Sequence, residues 1–70
     1  MSARAAELSS IASALDDLSR RVTVHADGAQ ADKDEETARE LFAIERSLVT
    51  ATRRLARLST ALSRRPGAGA

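Results

Sequence analysis

Large apolar residues recur in the first third of the chain at alternating spacings of three and four residues. This is the spacing of the a and d positions of a heptad, and it predicts an amphipathic helix over about residues 2–25. Ser2 is a suitable N-cap for this helix because its hydroxyl can accept from the first free amide groups. The row consists of Leu8, Ile11, Leu15, Leu18 and Val22.

The same spacing returns in the second half of the chain and predicts a second helix over about residues 33–65. Pro66 cannot continue a helix, so the helix is expected to end there and residues 66–70 to form a disordered tail. The second row consists of Leu41, Ile44, Leu48, Ala51, Leu55, Leu58 and Leu62.

The segment between the two rows is polar and is expected to be a turn over residues 26–33. Gly28 is the candidate for a left-handed residue after the first helix. Asp32 is the candidate N-cap of the second helix, with Glu35 completing a capping box. The sequence therefore predicts an all-α fold, an antiparallel two-helix hairpin of coiled-coil type that occupies residues 1–65 as a single domain.

Folding the hairpin is expected to place Val22 beside Leu41 and Leu15 beside Leu48. Two helices give each leucine only one neighbouring face, so we expect a second copy to complete the burial in a four-helix bundle. A weaker apolar stripe on the second helix, together with small residues beside the first row, is the expected dimer interface. Its residues are Phe42, Val49, Ala38, Ala56, Ala5 and Ala12.

The composition offers little for chemistry. There is no cysteine and only one histidine, which excludes disulfides and thiolate metal sites. Asp32, Asp34 and Glu36 have the spacing that begins a calcium loop, but Thr37 stands where that loop requires glycine. We therefore predict no enzyme activity, no cofactor and no metal. The absence of a long apolar run or secretory signal predicts a cytoplasmic protein, and abundant alanine and arginine indicate a bacterial one.

The charges are unevenly distributed. The turn is acidic, whereas the second half of helix two carries an excess of arginine. Arginines that recur at outer heptad positions form a basic stripe. This stripe has three interpretations: a solvated face, a face complementary to the acidic turn of an antiparallel second copy, or a polyanion-binding site. The stripe consists of Arg39, Arg46, Arg53, Arg57 and Arg64.

The predicted function is that of a small homodimeric interaction module, an adaptor or regulator whose basic outer face meets an acidic protein. One alternative is a nucleic-acid-associated regulator that binds phosphates through the stripe. Another is a hairpin that completes a bundle on a different protein, as antitoxins and anti-sigma modules do. No membrane partner is expected. The layout resembles that of small bacterial helical hairpins that dimerise as four-helix bundles.

Overall fold

A computed structural model describes residues 2–65 of the chain and contains two long helices packed against each other. Helix α1 is Ala3–Ala31 and helix α2 is Glu35–Arg64. The prediction of an all-helical, two-helix hairpin is confirmed. The Cα atoms span 53 × 13 × 10 Å, which is the length of one helix and the width of two. The predicted tail at residues 66–70 lies outside the described residues.

Helix α1 begins as the sequence predicts. Ser2 has extended backbone angles, and its hydroxyl oxygen accepts a hydrogen bond from the Ala5 amide at 3.2 Å. This bond satisfies one of the amide groups that the first turn of a helix leaves free. Ser2 is therefore the N-cap of α1.

The end of α1 differs from the prediction. The helix continues through Gly28 to Ala31, so the predicted turn over residues 26–33 is wrong and the connection has only three residues. Lys33, with φ 62°, is the left-handed residue. Its amide donates to the Gln30 carbonyl at 3.0 Å, and the Asp34 amide donates to the Ala29 carbonyl at 2.9 Å. These two bonds form a Schellman motif around Lys33.

The start of α2 moves by two residues for the same reason. Asp34, not Asp32, is the N-cap, and its carboxylate accepts from the Thr37 amide at 3.2 Å. Asp32 instead closes α1 as its C-cap, which rules out the predicted capping box with Glu35. A glycine inside a helix costs about 1 kcal/mol relative to alanine. The helix nonetheless continues through Gly28, and Ala26, two residues before it, is completely buried.

Small residues form the contact between the two helices. On α1 every seventh residue is buried, and each of these is alanine or serine. On α2 a series of small and polar residues with the same seven-residue spacing faces it. The first and last members of this series, Ala38 and Ser59, are buried. We call these residues the small-residue line. They are Ala5, Ala12, Ser19 and Ala26 on α1, and Ala38, Glu45, Thr52 and Ser59 on α2.

One hydrogen bond fixes the register of the hairpin. The Ser59 hydroxyl donates to the Ala5 carbonyl across the contact at 2.7 Å, and both residues are buried. The hydrogen bond places Ala5 level with Ser59. Because the two helices are antiparallel, every residue of α1 lies level with the residue of α2 for which the two numbers add up to 64. Ala12 is therefore level with Thr52, and Ala26 with Ala38. Small side chains at these three levels allow the two backbones to approach closely, whereas Glu45 lies at the level of Ser19.

The large apolar residues lie beside this line and not in it, which differs from the predicted core. The pairing of large residues across the hairpin agrees with the prediction to within about one residue. Leu15, for example, is predicted to lie beside Leu48 and lies level with residue 49. No side chain larger than alanine or serine is fully buried among residues 2–65. In this chain small residues hold the position that points most directly at the other helix, so the large residues lie to one side of the contact.

Neither helix has a stretch long and apolar enough to cross a membrane within the described residues.

Candidate interaction surfaces

The large aliphatic residues of both helices lie on one side of the hairpin. In each helix they occupy the positions three and six residues after the small-residue line, which rotates them to the same side because the helices are antiparallel. We call this surface the aliphatic face. It consists of Leu8, Ile11, Leu15, Leu18 and Val22 of α1, and Leu41, Ile44, Leu48, Ala51, Leu55, Leu58 and Leu62 of α2.

The aliphatic face is partly open to solvent. The residues at its outer positions are the most exposed: Ile11 is 45% exposed, Leu18 44% and Leu58 47%. Those nearer the contact, such as Leu15 and Leu48, are half-buried. Single exposed leucines are common on protein surfaces, but a continuous apolar surface that follows two helices is typical of an interaction site.

The opposite side of the hairpin is mainly polar and contains the rest of the predicted stripe. Phe42, Val49 and Ala56 lie four residues after the small-residue line, which turns them away from the aliphatic face. Phe42 and Val49 are half-buried, and Ala56 is exposed beside a shallow hollow that Asp16 and Thr52 also line. The stripe is therefore narrow and occupies α2 alone.

Three residues of the predicted dimer interface have another partner in the structure. Ala5, Ala12 and Ala38 are between 2% and 7% exposed, because they form the small-residue line inside a single hairpin. The expectation that small residues allow a neighbouring helix to approach is correct, but the neighbour is the other helix of the same chain. These three residues leave almost no surface for a second copy, which corrects their assignment to a dimer interface.

The predicted basic stripe lies on the outer surface of α2. Its members are exposed, and three of them follow each other at heptad spacing beside Phe42 and Val49. The ion pair formed within residues 2–65 joins Arg20 to Asp16 on α1, at 2.9 Å. The side chains of the stripe are thus not neutralised by carboxylates from this part of the chain. They are Arg39, Arg46, Arg53, Arg57 and Arg64.

Polar groups elsewhere are engaged in local structure. The Thr23 hydroxyl lies 3.1 Å from the Ser19 carbonyl oxygen and 3.3 Å from Oε2 of Glu45 on the other helix. This contact holds the one carboxylate of the small-residue line at the edge of the contact. Within residues 2–65 there is no group of three histidine, aspartate or glutamate residues that could hold a metal ion.

The signal that could have revealed the aliphatic face is the alanine and serine heptad of α1. It is visible in the sequence, but its counterpart on α2 mixes Ala38, Glu45, Thr52 and Ser59 and does not stand out as one series. Without that counterpart, the row of leucines is the stronger pattern and is assigned to the centre of the contact.

No protein-family model matches the chain, and neither a curated protein nor a solved structure matches it.

Proposed function

We propose that this chain is a non-enzymatic association module in which two copies pack through their aliphatic faces into a four-helix bundle, forming a small adaptor or regulator. The observation that carries the proposal is the exposure of the large residues. Ile11, Leu18, Ile44 and Leu58 are between 40% and 47% exposed, all on one side of the hairpin. Such a surface is unfavourable in water and is stabilised by a partner that covers it.

The composition of the hairpin's interior supports the same conclusion. Its buried side chains are alanines and serines, which contribute at most about 0.8 kcal/mol for each buried methyl group. A large aliphatic side chain contributes about 1.5–3 kcal/mol when fully buried. Since the large outer residues of the aliphatic face are between 40% and 47% exposed, much of the available hydrophobic stabilisation depends on association.

A second copy is the partner whose shape fits this surface. The aliphatic face is two helices wide and runs the length of the hairpin, so an identical face covers it completely. A two-fold symmetric interface uses the same patch on both subunits, which requires no further complementary protein. Stacking two helix pairs in this way produces the layered core of a four-helix bundle.

Two neighbouring residues of α2 allow a matched test. Leu48 and Val49 are both half-buried aliphatic residues, but Leu48 belongs to the aliphatic face and Val49 to the opposite stripe. We expect Leu48→Arg to produce a monomer and Val49→Arg to remain a dimer, because only the first places a charge in the interface. Molecular mass is measured by light scattering at micromolar concentration, and helicity by circular dichroism.

The two variants also test the competing interface. If the stripe with Phe42 is the dimer surface, Val49→Arg becomes the monomer and Leu48→Arg keeps the dimer mass. A wild-type chain that is monomeric and folded at micromolar concentration contradicts the homodimer. In that case the remaining interpretation is a hairpin that completes a bundle on a different protein.

A second candidate function is favoured by the arginines of α2. Arg39, Arg46 and Arg53 form an exposed row that no carboxylate of residues 2–65 neutralises. We propose that this row binds an acidic protein surface, with the phosphate backbone of nucleic acid as the alternative. Binding to phosphates falls steeply as salt increases. Absence of any electrophoretic shift of labelled DNA or RNA at low salt excludes the nucleic-acid alternative.

A further inference from the structure

The aliphatic face has an internal symmetry that specifies how two copies fit together. Resting on the proposed homodimer, we infer that the two hairpins pack antiparallel. The two-fold axis crosses α2 between residues 49 and 50 and α1 between residues 14 and 15. The turn of one copy then lies at the open end of the other.

The first support is the spacing of the aliphatic residues on α2. The positions from Leu41 to Leu58 are symmetric about the point midway between residues 49 and 50. In an antiparallel pair of α2 helices, six of the seven residues therefore meet an apolar residue of the partner at the same level, and Leu62 lies beyond the matched stretch. The symmetric pairs are Leu41 with Leu58, Ile44 with Leu55, and Leu48 with Ala51.

The second support comes independently from α1. Ile11 and Leu18 are symmetric about the point between residues 14 and 15, and Leu15 lies next to that point. The Ala5–Ser59 hydrogen bond makes this point level with the symmetry point of α2. An axis that is perpendicular to the helices and lies between the two copies therefore relates the α2 row from Leu41 to Leu58 to itself. It relates the α1 row to itself to within one residue, since Leu8 and Val22 are symmetric about residue 15, and this is compatible with a two-fold dimer.

The third support is the distribution of charge along the hairpin. The turn and the start of α2 are acidic, whereas the end of α2 is basic and has no acidic residue after Glu45. A parallel dimer brings two acidic turns together and two basic ends together. An antiparallel dimer places each acidic turn beside a basic end, which is the electrostatically complementary arrangement.

The outer edge of α1 provides a specific contact between the copies. Glu7 and Arg21 flank the aliphatic face and are both exposed. They are symmetric about the α1 midpoint to within one residue. Glu7 of one copy therefore lies beside Arg21 of the other copy. A parallel dimer instead places Glu7 near Arg54 of the second copy, which makes the two orientations distinguishable.

A distance measurement tests the orientation directly. The chain has no cysteine, so Asp32→Cys introduces a single labelling site in the exposed turn. With a rise of 1.5 Å per residue, the antiparallel dimer separates the two labels by about 50 Å. A parallel dimer, with helix layers about 10 Å apart, brings them within about 25 Å. Pulsed electron paramagnetic resonance of spin labels measures both distances.

The outcomes separate this inference from the proposal on which it rests. A distance of about 50 Å supports the antiparallel dimer. A short distance overturns the orientation but leaves dimerisation through the aliphatic face intact. A monomeric mass of the same labelled sample, measured by light scattering, overturns both.

Charge reversal gives a second, independent readout. We expect Glu7→Arg alone to weaken dimerisation about tenfold, because each dimer contains two such contacts. Adding Arg21→Glu to the same chain restores the affinity in the antiparallel dimer, whereas adding Arg54→Glu does not. Restoration by Arg54→Glu and not by Arg21→Glu contradicts the inference and indicates the parallel arrangement.

Discussion

The small-residue line and the aliphatic face run side by side along the same two helices. The less hydrophobic line is buried, whereas the more hydrophobic face is partly exposed. The alanines of the line are between 0% and 7% exposed, whereas the outer leucines and isoleucines of the face are between 40% and 47% exposed. The two surfaces differ by a rotation of about 50–100° around each helix axis. This small rotation decides which residues hold the hairpin together and which are left for a partner.

The difference indicates that the two surfaces have separate roles. The small-residue line allows the helices to approach closely and fixes their register through the Ser59 hydroxyl. It sets the spacing and register of the helices and contributes little hydrophobic stabilisation, because alanine and serine bury little apolar area. The aliphatic face has the larger share of apolar surface and, in the proposed dimer, contributes most of the stabilisation.

The largest expected effect comes from enlarging a residue of the small-residue line. Ala26 is completely buried opposite Ala38, so Ala26→Leu forces the helices apart and is expected to destabilise each chain by about 1–3 kcal/mol. Ala6→Leu is the matched control, because Ala6 is exposed on the side of the same helix that faces away from the aliphatic face. Urea unfolding followed by circular dichroism measures both. Equal stability of the two variants would contradict a close contact at this level.

The next largest effect is expected on the aliphatic face. Leu58→Ala removes side-chain area that the partner covers, and each dimer loses it twice. We expect a loss of about 2 kcal/mol per dimer, which is a roughly thirty-fold weaker dissociation constant. Val24→Ala is the control, since Val24 is 68% exposed on the outer surface of α1. Sedimentation equilibrium measures both constants, and a Val24→Ala effect as large as that of Leu58→Ala would show that the face is not the interface.

Much of the fold could be predicted from the sequence because the heptad signal is long and consistent. The rows from Leu8 to Val22 and from Leu41 to Leu62 establish two amphipathic helices. The polar segment between them requires a reversal of the chain. Ser2 could be identified as a cap because capping depends on residues close in sequence. These features are local or strictly periodic.

The features that could not be predicted depend on competition between sites far apart in sequence. The end of α1 is one example: Gly28 is the residue that local preferences favour for the reversal, but the helix continues through it and the left-handed conformation falls at Lys33. The contact line is the second example. Heptad spacing identifies the apolar side of a helix, but the exact position that faces a neighbour depends on which residues of both helices pack most closely.

A smaller effect tests the hydrogen bond that fixes the register. Ser59→Ala removes the donor to the Ala5 carbonyl and leaves no buried polar side chain unpaired. We therefore expect a modest decrease in the free energy of unfolding. Ser63→Ala is the control, because it gives a similar gain in helix propensity at an exposed position of α2. The Ser59 variant is expected to be less stable than the Ser63 variant by about 1 kcal/mol in urea unfolding. The opposite order would show that the bond contributes nothing to the contact.

The smallest effect concerns the turn, where neither of the two surfaces extends. Lys33 adopts φ 62°, a left-handed conformation that disfavours residues with a Cβ atom. Lys33→Gly relieves this strain, but the greater freedom of glycine in the unfolded chain offsets part of the effect. We expect the free energy of unfolding to rise by about 0.5–1 kcal/mol. Lys33→Ala is the control because it removes the same charge but keeps the Cβ. Thermal unfolding should show a higher midpoint for glycine than for alanine. A gain that is equal in the two variants would assign the effect to the lost charge. Both variants remove the same charge from the turn, so the dissociation constants of their dimers should be equal, and a difference between them would mean that the backbone conformation of the turn takes part in association.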